Sequence, residues 1–201
     1  MNKDEVEVKF YIADLKALEA HVQSLGGQII QPRTLEINLR FDTPDGSLTR
    51  AGRVLRLRRE MDYRFTYKEP MQIVDSVSVR KEIEFTVGDF DVAKAFLEAL
   101  GYQVSVMYEK YRTVYAFQDV DVSLDELPFG TFTEIEGPDP ASVNAVQSQL
   151  GLNSDARVLE SYLVLFERLK VHRNLAFRDL TFENFRDISI SPTDFPVTLA
   201  D

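Results

Sequence analysis

The feature that most restricts the fold is a set of charged residues at positions i and i+2, alternating with apolar ones: Glu5, Glu7 and Lys9; Arg56 and Arg58; Arg80, Glu82 and Glu84; Lys110 and Arg112; Glu134 and Glu136. Successive side chains of a strand point to opposite faces, so a two-residue period specifies strands with one charged and one apolar face. The apolar phase holds Val6, Val8 and Phe10; Ile37, Leu39 and Phe41; Leu55 and Leu57; Phe65 and Tyr67; and Val77, Val79, Ile83 and Phe85. Such a face requires cover from helices. The polar phase adds Asn38, Arg40 and Asp42, and Thr66 with Lys68.

The segments between these runs supply that cover. Asp14 is placed to cap a helix with Leu15, Leu18, Val22 and Leu25 inward and Gly26-Gly27 as its stop. Thr43-Pro44-Asp45-Gly46 carries turn chemistry, and the runs at 54–58, 64–68 and 77–85 read as an antiparallel meander. Asp89 or Asp91 caps a second helix, with Val92, Phe96 and Leu100 predicted inward and Gly101 at its end. Strands follow around 104–117, 120–124 and 131–136, then helices at about 141–150 and 154–169. Glu5-x-Glu7, Glu82-x-Glu84 and Glu134-x-Glu136 each end a strand that leads into a helix, an internal recurrence of βα pieces. Residues 1–170 are expected to form one domain, with 171–201 as a strap across it that frays after about Pro192.

Composition narrows the function. The 201 residues include 23 basic and 33 acidic side chains, a net charge of −10, which argues against a general nucleic-acid or anionic-membrane surface. No cysteine is present, so disulfides, zinc–thiolate sites and thiol nucleophiles are excluded. No apolar run is long enough to span a bilayer and the acidic first residues do not read as a signal peptide, so a cytoplasmic location is expected. Neither G-x-x-x-x-G-K-[ST] nor G-x-G-x-x-G occurs, which removes the glycine-rich phosphate loops, and His21 and His172 belong to no metal-like cluster.

Within this acidic chain, eight of the 23 basic residues (Lys9, Arg40, Arg56, Arg58, Lys68, Arg80, Lys110 and Arg112) fall on the polar face of the strands. Guanidinium groups suit bidentate binding of phosphate. Six or more antiparallel strands with helices on the apolar side can curl until the polar face lines an interior. There a charge–charge interaction at ~4 Å rises from ~1 kcal/mol to several. The basic set would hold a chain of phosphates. Glu5, Glu7, Glu134 and Glu136, with Asp125 as a fifth member, cannot stay ionised together unless a cation offsets their repulsion, and oxygen-only ligands select a hard ion, Mg²⁺ or Mn²⁺. Phosphate chain, hard metal and basic cradle are the equipment of phosphoryl or nucleotidyl transfer.

Several motifs occur in a specific order: Glu5-x-Glu7-x-Lys9, Asn38-x-x-Phe41-Asp42-Thr43-Pro44-Asp45, Leu55-Arg56-Leu57-Arg58, Thr66-x-Lys68, Arg80-x-Glu82-x-Glu84, Lys110-x-Arg112, Leu124-Asp125 and Phe132-x-Glu134-Ile135-Glu136. This series resembles the CYTH superfamily, or triphosphate tunnel metalloenzymes, which includes class IV adenylyl cyclases, thiamine triphosphatases and inorganic triphosphatases. The resemblance implies an α+β fold: a closed eight-stranded antiparallel β-tunnel with a charged interior and helices packed on the outside. It implies metal ligation by Glu5, Glu7, Asp125, Glu134 and Glu136. Triphosphate would be bound by Lys9, Arg40, Arg56, Arg58, Lys68, Arg80, Lys110 and Arg112, with Glu5, Lys9 and Lys110 catalytic and Glu82 and Glu84 orienting basic residues or holding a second metal. Relatives often carry Tyr where this chain has Arg40, which would instead add a phosphate contact or point into solvent at the tunnel mouth. The expected activity is metal-dependent hydrolysis of a small-molecule triphosphate by a monomer or homodimer. The alternatives are an adenylyl cyclase and a non-catalytic polyphosphate-binding module.

Overall fold

The computed structural model describes residues 2–194 and 197–201, with side chains from residue 4 onward. Its strands are β1 (Asn2–Ile12), β2 (Gln28–Asp42), β3 (Val54–Arg59), β4 (Tyr63–Lys68), β5 (Gln72–Val74), β6 (Val77–Val87), β7 (Gln103–Phe117), β8 (Val120–Leu127) and β9 (Gly130–Gly137). The helices are α1 (Leu15–Ser24), α2 (Ser47–Arg50), α3 (Phe90–Ala99), α4 (Pro140–Gln149) and α5 (Tyr162–Arg173). All strand pairs are antiparallel, in the order β1-β9-β8-β7-β2-β3-β4-β6-β5, and β1 also pairs with β6 from Asn2↔Ile83 to Glu7↔Ser78. That last pairing closes the sheet on itself. The short β5 pairs only with β6 and lies outside the circuit, so the ring has eight strands, the number implied by the resemblance.

The period-two pattern sorts the faces as the sequence requires. Val6, Val8 and Phe10 of β1, Val122 and Leu124 of β8 and Ile135 of β9 point outward and are buried beneath Leu18 and Val22 of α1 and Val143 and Val146 of α4. Leu39, Phe41, Leu57 and Phe65 of β2, β3 and β4 are covered by Phe90, Ala93 and Leu97 of α3. These three helices each start at a capping aspartate, with Asp14 accepting from the Ala17 N–H, Asp89 from Val92 and Asp139 from Ala141 and Ser142.

Several expectations are corrected. Val92, Phe96 and Leu100 are exposed rather than inward. The buried set in α3, Phe90, Ala93 and Leu97, recurs at helical spacing just as they do, and it is the stripe that packs on the sheet, with Phe90 against Tyr63 at 5.7 Å. Leu25 is also exposed, because it is the C-cap residue beyond the last turn of α1. Ile83 and Phe85 on the outer face of β6 have no helix over them and are 45% and 56% exposed. The expected helix at 154–169 breaks into a 3-10 turn (Ser154–Ala156) and α5. Between them the chain is extended, and Val158 donates its N–H to the Lys9 carbonyl at 2.8 Å, pairing β1 where β6 no longer reaches.

The C-terminal segment does cross the body. Leu180 exchanges backbone bonds with Met107 and Glu109 of β7, both 2.9 Å, and Phe185 is buried. The expected fraying is not found in residues 197–201: Ala200 donates to the Tyr11 carbonyl at 3.0 Å and the Asp201 side chain accepts from the Ala13 and Asp14 N–H groups at 2.7 Å. Phe195 and Pro196 lie outside the described residues. Together α5 and this segment fill one end of the ring, where Tyr162, Leu165, Phe166, Leu169, Leu180 and Phe185 pack on Tyr11, Tyr108, Leu127 and Phe132. Charge in the tunnel therefore ends against an apolar plug.

Candidate active site in the tunnel

The inner face carries the charged phase of each strand, and strand register decides which charges meet. Lys9 lies opposite Glu134 and Glu7 opposite Glu136 in the β1–β9 pair, while Glu5 lies opposite Arg80 in the β1–β6 pair. The Lys9 ammonium contacts Glu134 at 3.1 Å and stands 4.3 Å from the centre of the Tyr162 ring. Glu5 is gripped by Lys68 and, at 3.2 Å, by Arg80; Lys68 also reaches Glu82 at 3.0 Å. Glu84 accepts from Thr66 at 2.8 Å and Arg64 at 3.0 Å and lies 3.7 and 3.8 Å from Arg56 and Arg58.

Asp125 is the most enclosed acid of the predicted set, with no exposed surface. Its carboxylate accepts from Lys110 at 3.0 Å, from two nitrogens of Arg112 at 2.6 Å and from the Tyr162 hydroxyl at 2.8 Å. Arg112 reaches on to Glu134. These bonds give Asp125 to the cations and the plug, whereas Glu5, Glu7, Glu134 and Glu136 share the β1–β9 wall.

The electrostatics follow from burial opposed by opposite charge. Burial raises the carboxyls of Glu5 and Glu134, but Lys68 outweighs it at Glu5, bringing it to about 2, and Lys9 with Arg112 holds Glu134 well below the usual range. At Glu7 the opposing charges of Lys9 and Lys68 do not suffice. Burial, then the charges of Glu134 and Glu5, push its carboxyl up to about 7. Among the described residues no three acidic or histidine side chains are gathered into a metal cage. A Glu7 only partly offset by Lys9 and Lys68, beside Glu134 and Glu5, fits a hard cation held by one or two carboxylates and completed by substrate oxygens, the usual manner of Mg²⁺.

Arg40 lines a cavity of about 790 Å³ with Ser105, Val106 and the Ser161, Leu163 and Val164 end of α5. Its Nε is buried without a hydrogen-bond partner, and burial with the neighbouring Arg56 and Arg80 charges lowers its pKa. A second cavity of about 300 Å³, lined by Glu7, Lys9, Arg80, Met71 and Glu160, shares Ser161 and Val164 with the first. Asp42 does not belong to the charged interior. It ends β2 and accepts from the N–H groups of Thr43, Leu48 and Thr49 and the Thr49 hydroxyl, pinning α2.

Three inner-face residues were absent from the predicted site. Glu36 and Asn38 of β2 have no exposed surface, and none of their side-chain polar atoms has a hydrogen-bond partner. Both share the phase of Arg40, a signal available in the sequence. Tyr108 accepts from Arg56 at 3.3 Å; burial raises its phenol, but Arg56 and Lys110 outweigh it and the pKa falls below the ordinary value. Its phase with Lys110 was equally readable.

The resemblances agree with this geometry. The chain is 27% identical over 177 residues to a Methanocaldococcus jannaschii protein named provisionally as an adenylate cyclase, covering 87% of this chain and 94% of that one. It is 26% identical to the adenylate cyclase CyaB of Aeromonas hydrophila, covering 82% and 89%. The solved structure of HpAC1 from Hippeastrum, described as revealing a dominant triphosphatase activity, superposes with a TM-score of 0.63 at 20% identity, covering 81% of this chain and 95% of that one. The family model for the CYTH domain matches residues 3–162, and with the closed ring and its charged lining this makes the chain a member of the CYTH family.

Proposed function

We propose that the chain is a metal-dependent hydrolase of triphosphate-bearing small molecules. The observation that carries this reading is the closed ring itself, whose buried inner face gathers Lys9, Arg56, Lys68 and Lys110, with Arg58 and Arg112 nearly as enclosed. A row of phosphates laid along that face exchanges water for guanidinium and ammonium donors. Lys9, Lys110 and Arg112 hold the reacting end, and their partners Glu134 and Asp125 keep them in place. One or two carboxylates of the set Glu5, Glu7, Glu134 and Glu136 would hold Mg²⁺ or Mn²⁺, which would supply neutralisation of charge on the phosphate oxygens and a site for water. Phosphoryl transfer through a loose transition state needs positioning and charge neutralisation more than a strong base, and the lining supplies both.

A cyclase reading is favoured by the names of the two curated relatives. The test is release of orthophosphate and pyrophosphate from inorganic triphosphate, thiamine triphosphate and ATP, with Mg²⁺, with Mn²⁺ and with a chelator. Chelator-sensitive orthophosphate release is the expected result. Pyrophosphate from ATP alone would establish the cyclase, and tight binding without turnover would leave a binding module.

A further inference from the structure

We propose that Glu36 is a built-in counter-anion that lowers the tunnel's affinity for polyphosphate, by neutralising in advance part of the charge of Arg58, Lys110 and Arg112; this rests on the reading that the tunnel binds triphosphate. The Glu36 carboxylate is fully buried, 3.7 Å from Arg58, 3.6 Å from Lys110 and 3.8 Å from Arg112. Neither oxygen takes a hydrogen bond. The donors of those cations go elsewhere: Lys110 to Asp125, Arg112 to Asp125 and Glu134, and Arg58 to Glu60 at 3.4 Å.

That combination is unusual. A buried ionised carboxylate ordinarily justifies its desolvation by accepting several hydrogen bonds. Glu36 acts through its charge alone. Its carboxyl is raised by burial, yet the three cations together with Arg56 hold it below the usual range, so it stays ionised. An arriving phosphate meets the same cations from the open side of the tunnel and finds their field already reduced. The advantage is reversibility: added to Asp125 and Glu134, Glu36 further weakens the hold of this cradle of six buried or nearly buried cations on the anionic products, which leave sooner.

The alternative is that Glu36 merely holds the cations in position, and the two roles predict opposite outcomes. Inorganic triphosphate is titrated calorimetrically, in chelator, onto the parent, Glu36→Gln and Glu36→Asp. Glu36→Gln keeps the volume and removes the charge, so it should bind at least about tenfold more tightly (~1.4 kcal/mol), and in turnover its KM should fall without a rise in kcat. Glu36→Asp should bind as the parent does. Equal or weaker binding by a folded Glu36→Gln overturns the counter-anion role. Should that variant be unstable alone, its melting temperature is followed against triphosphate: a larger ligand-induced rise than in the parent supports the role, and an equal rise, or no folding at saturating triphosphate, overturns it. A parent that binds no triphosphate overturns the underlying reading as well.

Discussion

The phenol of Tyr162 donates a 2.8 Å hydrogen bond to Asp125 across the inner end of the tunnel, while the same ring lies beneath the Lys9 ammonium. One residue of the plug thus touches both an acid and a base of the candidate site. Burial and the Asp125 charge raise the phenol's pKa well above the ordinary value, so it stays a donor. Tyr162→Phe keeps the ring and removes the bond. Hydrogen bonds to charged groups contribute about 1.5–3 kcal/mol, and because Asp125 retains Lys110 and Arg112 the loss should lie near the lower figure. Urea unfolding measures it, and an unchanged midpoint would show that the plug needs only the ring.

Glu7 makes stability depend on pH in a definite direction. Its carboxyl is raised from 4.5 to about 7 in the folded state, so the folded protein binds the extra proton between those values. Stability from this group is present below about pH 4.5 and lost as pH rises through 7. In chelator, Glu7→Gln should melt near the parent's temperature at the acid end and above it at pH 8. The gap should be about 1–3 kcal/mol, after allowance for solvent screening of a partly exposed group. A gap that narrows with rising pH would refute the assignment.

Asp42 has the opposite sign. Burial raises its carboxyl, but the hydroxyl and N–H of Thr49 and the N–H groups of Leu48 and Thr43 outweigh it and bring it down to about 2. Its contribution, about 2 kcal/mol, is present above pH 3.8 and lost as pH falls through 2. Asp42→Ala should lower the melting temperature at pH 7 and leave triphosphate affinity unchanged, because the side chain caps α2 outside the tunnel.

Arg56→Ala should weaken triphosphate binding by about 10–100-fold, the equivalent of one or more charge-assisted hydrogen bonds. Arg56 donates only to neutral partners, Tyr108 and Thr66. Its nearest carboxylate, Glu84, stays at 3.7 Å, so a phosphate oxygen can approach the guanidinium more closely than its present anionic partner does. An unaltered binding isotherm would place the polyphosphate elsewhere.

Glu134→Gln removes the partner of both Lys9 and Arg112. Metal-stimulated turnover should fall at least about a hundredfold, with circular dichroism unchanged. Full activity would remove Glu134 from the metal-binding set.

Much of this was legible in the chain, and the reasons differ from residue to residue. Val6, Val8 and Phe10 against Glu5, Glu7 and Lys9 declare a strand and its two faces, because the period of two is a local property of extended backbone. Asp14 and Asp89 declare helix starts for an equally local reason. Glu36 and Tyr108 were also in phase with the charged face, as Asn38 was read to be, but phase alone does not tell a neutral or isolated polar side chain of a site from one that merely shares its face. In α3 two apolar stripes shared the helical period, so periodicity could not choose between Leu97 and Phe96.

What the sequence alone determined was the sorting of each strand into a charged and an apolar face, the approximate places of the helices, and an inventory of acids and bases suited to phosphate and a hard metal. Only the tertiary structure decided which of those charges face one another. Asp125 goes to Lys110, Arg112 and Tyr162, Glu36 sits among three cations without a hydrogen bond, and Glu7 is only partly offset by Lys9 and Lys68. The physical reason is range. Alternation and capping are written within a few residues, whereas the pairing of Glu5 with Lys68 or Lys9 with Glu134 depends on ring closure and on register between strands distant in sequence. The energy of a buried charge depends on that neighbourhood far more than on its own identity.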